Sequence, residues 1–207
     1  LLEQYGWRVA FGVHALLNAG LCLPLHVAFV KAALPSREVP SASRDEARAD
    51  AAPRTFFWLA TAFSLAAFLA SAISAHLVVL LAAGGLAARD AVIVGALIGP
   101  MQVAGRAMEF AFAHRFTPLA VGTFAFALFA TALILLSFVR GVWLFALAFA
   151  LLYGWANGLM TIVRGTVPGV LFGSREFGAL LGRLAQPQFI LKALASVAVT
   201  LLFAADV

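Results

Sequence analysis

The sequence is poor in charge, in acidic side chains and in cysteine, and each shortage excludes a class of protein. Charged residues make up 11% of the 207 residues and hydrophobic residues 64%, whereas a soluble domain carries about 25% charge. A water-soluble fold could not bury that apolar excess. The single cysteine, Cys22, excludes an intrachain disulfide. Basic residues outnumber acidic ones by 14 to 9, but they lie at the ends of apolar runs without interleaved aromatics, which argues against nucleic-acid binding.

Long apolar runs are what the sequence does contain. A helical crossing of the hydrocarbon layer needs roughly 20 apolar residues, because backbone N–H and C=O groups must pair within the segment. Runs of that length predict an all-α, polytopic membrane protein with six transmembrane helices. The predicted spans are residues 10–30, 55–81, 91–112, 118–139, 142–163 and 177–203.

The basic residues of the connections fall mostly on one side of the predicted membrane. That side has Lys31, Arg37, Arg44, Arg48, Arg54, Arg115, Arg164 and Arg175, and the opposite side has Arg8, Arg89 and Arg140. The excess of positive charge predicts that the first side is cytoplasmic and that both chain ends lie outside. The alanine- and glycine-rich composition and the compact loops further indicate a bacterial inner (plasma) membrane.

The predicted spans are distributed unevenly along the chain. One helix (1–33) is followed by a polar, proline-containing linker (34–54), and a block of five closely connected helices (55–207) follows that linker. Short loops favour sequential antiparallel neighbours within the block. The chain starts at Leu1 without a methionine or a signal-peptide pattern. We expect the interior of a longer polypeptide; a processed or artificially chosen start is the alternative.

Three features resemble the major facilitator superfamily (MFS) of secondary transporters. Residues 6–11 (GWRVAF) are similar to the start of the family's sixth helix, the basic linker follows that helix, and residues 99–106 (GPMQVAGR) occupy the position of its second glycine-rich motif. Gly105 stands where that motif usually has an acidic residue. The resemblance implies the sixth to eleventh helices: the last helix of the N-terminal half, the cytoplasmic linker and an incomplete C-terminal bundle. It also implies an efflux-type permease that works by alternating access and is driven by an ion or solute gradient.

Polar side chains at membrane depth are the candidates for a solute cavity. Tyr153, Asn157 and Thr161 recur every four residues and predict a polar stripe on one helix face. The resemblance implies that this helix lines the cavity. With Tyr153 and Asn157 we select Gln102 and Lys192 as residues that line it.

The depth of Lys192 depends on where the last helix begins. A crossing that begins near Phe177 places Lys192 close to the middle of the bilayer, where it would face a watery cavity. If residues 174–186 instead form an amphipathic helix on the membrane surface, the crossing begins at Pro187 and Lys192 can snorkel. Both alternatives remain open at this point.

Arg106, Glu109 and Arg183 are the candidates for a cytoplasmic gate. Arg106 and Glu109 lie three residues apart and could neutralise each other on one helix face. A purely structural ion pair, with Arg106 snorkelling to the headgroups, is the simpler interpretation. Arg183 is predicted to contact headgroups or the gate.

Other residues in the spans have structural explanations of comparable weight. Gly154, Gly158 and Gly165 are typical of close helix approach. Hydroxyl groups such as Thr61 can bond back to their own helix. Prolines are expected to interrupt helices, either as bending points or as fixed kinks. These prolines are Pro24, Pro100 and Pro187.

Enzyme chemistry is not predicted. The sequence has no HExxH pattern, no phosphate-binding loop with lysine and no pair of aspartates within a span, and Ser174 has no base nearby. No cofactor and no metal site are expected. The expected partners are membrane lipids, a small-molecule solute, a proton as candidate coupling ion and the remainder of the polypeptide. The alternative function is a non-transporting six-helix scaffold or subunit of a membrane complex.

Overall fold

The computed structural model describes residues 9, 12–13, 15–24, 52–112, 115–173 and 177–205. The chain forms two compact units, Leu1–Ser41 and Ala42–Val207. In the first unit residues 15–24 are helical and include a π-helical turn over Asn18–Cys22. Helical conformation therefore continues to Pro24. The rest of the first predicted span, and the linker up to residue 51, lie outside the described residues.

The second unit consists of five helices that are long and apolar enough to cross a membrane. They are α1 (Ala52–Ala83), α2 (Ala88–Phe112), α3 (Pro118–Ser137), α4 (Trp143–Phe172) and α5 (Phe177–Ala205). These helices confirm the all-helical, membrane-embedded class, and the described ranges contain no strand. The last five predicted spans each correspond to one helix.

Local chemistry determines several helix ends. Thr117 caps α3, since its Oγ1 accepts the N–H of Ala120 at 3.3 Å, and Pro118 follows at the first helical position. Gly173 ends α4 with φ of 81°, and its N–H donates to the Gly169 carbonyl at 3.0 Å. The predicted end of this helix at Val163 was too early, because a glycine rather than the first charged residue terminates it.

The prolines do not interrupt the helices of the second unit. Pro100, Pro168 and Pro187 lie inside α2, α4 and α5, each of which is continuous. The helices are therefore not broken at Pro100 or Pro187, and a bend or fixed kink at either residue stays a prediction. Neighbouring helices can accommodate the missing backbone bond in a membrane, and a continuous helix results.

Helix α4 lies at the centre of the unit. Of its crossing segment 56% is buried, against at most 28% for the other four helices. It packs most extensively against α2 and α3, whereas α1 packs chiefly against α5. The expectation of sequential antiparallel neighbours holds for α3 and α4 but not for these two other pairs. The helices of the α2–α4 pair and of the α1–α5 pair are not consecutive in the chain.

Two apolar clusters fill the interior of the unit. One is built around the stacked rings of Phe149 and Tyr153, 5.2 Å apart, with Phe129 at 5.6 Å from Tyr153. The other contains Phe63 of α1 and Leu159 of α4. Both clusters include residues of α4, which places the polar stripe of this helix beside the core.

Candidate functional site

Two glycines bring α4 into direct backbone contact with α2. Gly154 and Gly158 form a GxxxG pattern. A Cβ at Gly154 would lie 2.7 Å from the Ile98 carbonyl oxygen, and one at Gly158 would lie 3.1 Å from Gln102 Cα. Small residues at this spacing allow such an approach. Gly154 meets Ile98, and Gly158, four residues later in α4, meets Gln102, four residues later in α2. Helices α2 and α4 therefore run parallel.

Gly105 of α2 makes the reciprocal contact. A Cβ there would lie 2.8 Å from both Cδ1 and the carbonyl oxygen of Trp155. This position is the one where the transporter motif usually has an acidic residue. A larger side chain, including an acidic one, could not be accommodated against Trp155 in this packing.

The glycine contact places α2 next to the polar face of α4, which we define as Tyr153, Asn157 and Thr161. Successive helical residues are separated by 100°, so Gly154 and Gly158 each lie directly beside a member of this face. Gln102, whose backbone touches Gly158, is half-buried at the same level. The predicted cavity residues Gln102 and Asn157 therefore come close together through the backbone contact.

Tyr153 is the buried end of the polar face. Its side chain is 1% exposed, and its hydroxyl donates to the Ala70 carbonyl of α1 at 3.2 Å. The side chains of Asn157 and Ser74 are close enough to interact with this hydroxyl. The position of Ser74 beside Tyr153 could not be inferred from the sequence of α1 alone.

Exposure of the polar face increases along α4. Tyr153 is buried, Asn157 is half-buried, and Thr161 is exposed, as is Gly165 one turn further. A Cβ at Gly165 would meet nothing within 4 Å. The close helix approach predicted for Gly165 is therefore wrong: this glycine continues the open strip instead.

Arg106 extends the polar face onto α2. Its Nη2 donates to Thr161 Oγ1 at 3.3 Å, and Thr161 Oγ1 donates to the Asn157 carbonyl at 3.0 Å. Within the described part of the chain no ion pair joins Arg106 to Glu109. Glu109 instead lines a cavity between α2, α3 and α4. The two predicted gate residues of α2 therefore lie at different sites: Arg106 contacts the polar face of α4, and Glu109 lines the cavity.

The last helix resolves the alternatives for Lys192. Helix α5 begins at Phe177 and runs without a break, so Lys192 lies fifteen residues, or about 22 Å, from its start. Its backbone carbonyl accepts a hydrogen bond from Ser71 Oγ of α1 at 3.1 Å. Its Nζ lies 5.7 Å from the Phe189 ring centroid. These contacts of Lys192 are with α1 and with its own helix, and no described contact joins it to the polar face.

The remaining polar residues of α5 differ in exposure. Arg183 and Gln186 are exposed, whereas Gln188 is 9% exposed and donates to the Leu184 carbonyl at 2.7 Å. Arg183 lies six residues from the helix start, about 9 Å along the axis. That position is near the end of the crossing, as a headgroup or gate contact requires.

Several hydroxyl groups of the helices satisfy themselves locally. Thr61 donates to the Phe57 carbonyl at 2.8 Å, and Thr123 and Thr131 bond in the same way to the residue four before them. This back-bonding is the structural interpretation given to Thr61 from sequence.

Among the described residues no three His, Cys, Asp or Glu side chains lie close enough together to hold a metal ion. No protein-family model, no curated protein and no solved structure matches this chain.

Proposed function

We propose that the chain is part of an MFS-type secondary transporter, an efflux-type permease of a bacterial inner membrane, and that the polar face of α4 lines its solute path. The observation that supports the proposal most is the exposure of this face. The buried residues of α4 are apolar or glycine apart from Tyr153, yet the strip that continues from Tyr153 toward the end of the helix consists of half-buried Asn157 and exposed Thr161 and Gly165. A strip that faced lipid would be expected to carry large apolar side chains.

The packing supports a path that opens toward the predicted cytoplasmic side. Tyr153, about 15 Å from the start of α4, closes the buried end, and Thr161, about 27 Å from that start, is exposed. The hydrocarbon core is about 30 Å thick, so Tyr153 lies near the bilayer middle and Thr161 near one edge. Alternating access would require the face to be covered and uncovered in turn by the other half of the transporter.

Each polar group has a specific part in this proposal. Asn157 offers a donor and an acceptor to a solute beside Gln102. Arg106, held against Thr161, presents a guanidinium where the path meets the cytoplasm. Because Arg106 is bound across two helices, its release from Thr161 would accompany any separation of α2 from α4 at this level.

The proposal is tested by the accessibility of the polar face to water. In a full-length protein with Cys22→Ala, Thr161→Cys and Asn157→Cys are treated with a charged, membrane-impermeant methanethiosulfonate reagent on inside-out vesicles. Thr123→Cys is the matched control. Thr123 is also exposed and donates to the residue four before it at 3.0 Å, as Thr161 does. It follows Gly122, which packs against Val163, so the two threonines lie at similar depth.

We expect Thr161→Cys to react at least tenfold faster than Thr123→Cys, because a thiolate forms in water and not in lipid. Asn157→Cys should react at an intermediate rate. Equal, slow reaction at all three positions would contradict the solute path. Such a result would instead favour the alternative function, a scaffold or subunit whose polar face packs against a partner.

Transport itself is tested in proteoliposomes containing the full-length protein, in which Asn157→Ala and Lys192→Ala should both lower solute uptake. If uptake were unchanged by both substitutions, the assignment of these residues to the cavity would be wrong.

A further inference from the structure

A second candidate site lies on the other side of α4. The cavity lined by Glu109 has a volume of about 480 Å³, within the range of ligand pockets. It lies between the last turns of α2, the first turns of α3 and the middle of α4. The lining residues include Met108, Glu109, Phe116, Ala120, Phe124 and Trp155.

The lining is apolar with one charge. Glu109 is the acidic group among these residues, and no described basic side chain forms an ion pair with it. Trp155 adds a polar atom, since its Nε1 is buried without a hydrogen-bond partner. The Trp155 ring meets Phe124 edge to face at 5.9 Å. An apolar cleft with one carboxylate at its rim complements an amphiphile that has a cationic head.

The position of the cleft indicates where that amphiphile comes from. Trp155 precedes Asn157 by two residues and is therefore rotated about 160° from it around α4, away from the polar face. Met108, Phe116 and Phe124 are 43%, 58% and 49% exposed, as is suitable for side chains solvated by lipid. Glu109 lies about 32 Å from the start of α2, which is the depth of headgroups beyond a core of about 30 Å.

We propose that this cleft binds an aminophospholipid, with an acyl chain against Trp155 and Phe124 and the primary ammonium at the Glu109 carboxylate. A primary ammonium can donate hydrogen bonds to the carboxylate, whereas the quaternary ammonium of phosphatidylcholine cannot. The site does not depend on transport, since a non-transporting membrane subunit could bind the same lipid.

The test measures quenching of Trp155 by brominated lipid. Full-length protein is placed in phosphatidylglycerol bilayers that contain either dibrominated phosphatidylethanolamine or dibrominated phosphatidylcholine. The contribution of Trp155 is the difference between wild type and Trp155→Phe. We expect phosphatidylethanolamine to reach half-maximal quenching of this component at roughly one-tenth of the mole fraction required for phosphatidylcholine.

Three variants make the interpretation specific. Glu109→Gln should remove the preference for phosphatidylethanolamine, and Asp90→Asn, which removes an acidic charge at the opposite end of the same helix, should retain it. Ala120→Phe, which fills the cleft, should lower quenching by both lipids. Size-exclusion profiles in detergent establish that each variant is folded.

The proposal is overturned if both lipids quench Trp155 equally, or if Glu109→Gln and Asp90→Asn change the preference alike. It is also overturned if dodecylamine protects Trp155 from quenching while phosphatidylethanolamine shows no preference. That last result would assign the cleft to a soluble amphiphilic amine instead of a membrane lipid.

Discussion

The contact between Gly158 and Gln102 predicts a large difference between two glycine-to-alanine substitutions in α4. A methyl group at Gly158 would overlap the Gln102 carbonyl oxygen and lie 3.1 Å from the Gln102 Cα, whereas carbon atoms in contact prefer about 3.5–4.0 Å. Helix α2 must therefore retreat by at least about 0.5 Å, and overpacking of this kind costs about 1–3 kcal/mol. Gly165 is the matched control, because a methyl group there meets nothing within 4 Å.

Comparison with Gly165→Ala cancels the contributions to the free energy of unfolding that do not come from the α2–α4 contact. Both substitutions replace glycine by alanine inside one helix, so the gain in helix propensity of about 1 kcal/mol and the effect on the unfolded chain occur in each. We expect Gly158→Ala to be less stable than Gly165→Ala by about 1–3 kcal/mol. The free energy of unfolding is measured by titration with sodium dodecyl sulfate in mixed micelles, followed by tryptophan fluorescence.

A double substitution tests whether one interface is responsible. Gly154→Ala would meet the Ile98 carbonyl oxygen at 2.7 Å, so it also separates α4 from α2. Once one methyl group has separated the helices, the second costs less, and the two effects should fall short of additivity by at least 0.5 kcal/mol. Equal midpoints for Gly158→Ala and Gly165→Ala would refute the parallel α2–α4 packing on which the polar face depends.

Three further predictions concern other contacts. Tyr153→Phe removes the hydrogen bond to Ala70 but keeps the ring packing, so it should lower the free energy of unfolding by about 0.5–1.5 kcal/mol in the same titration, and a loss above 3 kcal/mol would contradict this account. Gly141 has φ of 74°, and its N–H donates to the Gly84 carbonyl at 2.6 Å. Gly141→Ala should lower the free energy of unfolding by about 1–2 kcal/mol and speed amide exchange at residue 141. Unchanged exchange would argue against this hydrogen bond. In a Cys22→Ala background, Arg140→Cys should react with an impermeant maleimide on intact cells and Arg115→Cys only after permeabilisation; the reverse result would invert the predicted topology.

Hydropathy predicted the existence of the five described crossings, because the hydrocarbon layer imposes both a length and an apolar composition. It could not predict the end of α4, since the segment after Val163 contains Arg164 and Thr166 and is less apolar. Helix termination there depends on Gly173 and its backbone bond to Gly169. A search for the next glycine beyond the apolar run would have been the useful signal.

Helix pairing was harder to predict than helix position. In a membrane the lipid-facing and protein-facing sides are both apolar, so periodic hydrophobicity does not identify the neighbour of a helix. The GxxxG pattern of Gly154 and Gly158 indicated a close approach, but not that α2 is the partner. Gly105 of α2 is the second half of that contact, and only the packing against Trp155 shows why a glycine is needed there.

The polar stripe of α4 was predicted as a line of three residues, and the described helix gives it a direction. Spacing alone makes Tyr153, Asn157 and Thr161 equivalent, whereas packing buries the first and exposes the last. The difference arises because α1 covers Tyr153 through Ala70, and nothing in the sequence of α4 contains that information. The same limitation applied to Glu109, whose cavity is formed by three helices.

Because α5 is continuous, placing Lys192 within the membrane costs free energy. The described contacts of Lys192 do not offset that cost fully. Without a break at Pro187, the amine lies about 22 Å along the helix, where a lysine costs about 2.5–3.5 kcal/mol on insertion scales. A cation–π contact with Phe189 returns about 0.5–2 kcal/mol, and the 5.7 Å separation is near the limit for such a contact. No described acidic side chain forms an ion pair with the amine. Water or an anionic group outside the described contacts would have to supply the difference, so the cavity role of Lys192 stays a prediction, which uptake by Lys192→Ala tests.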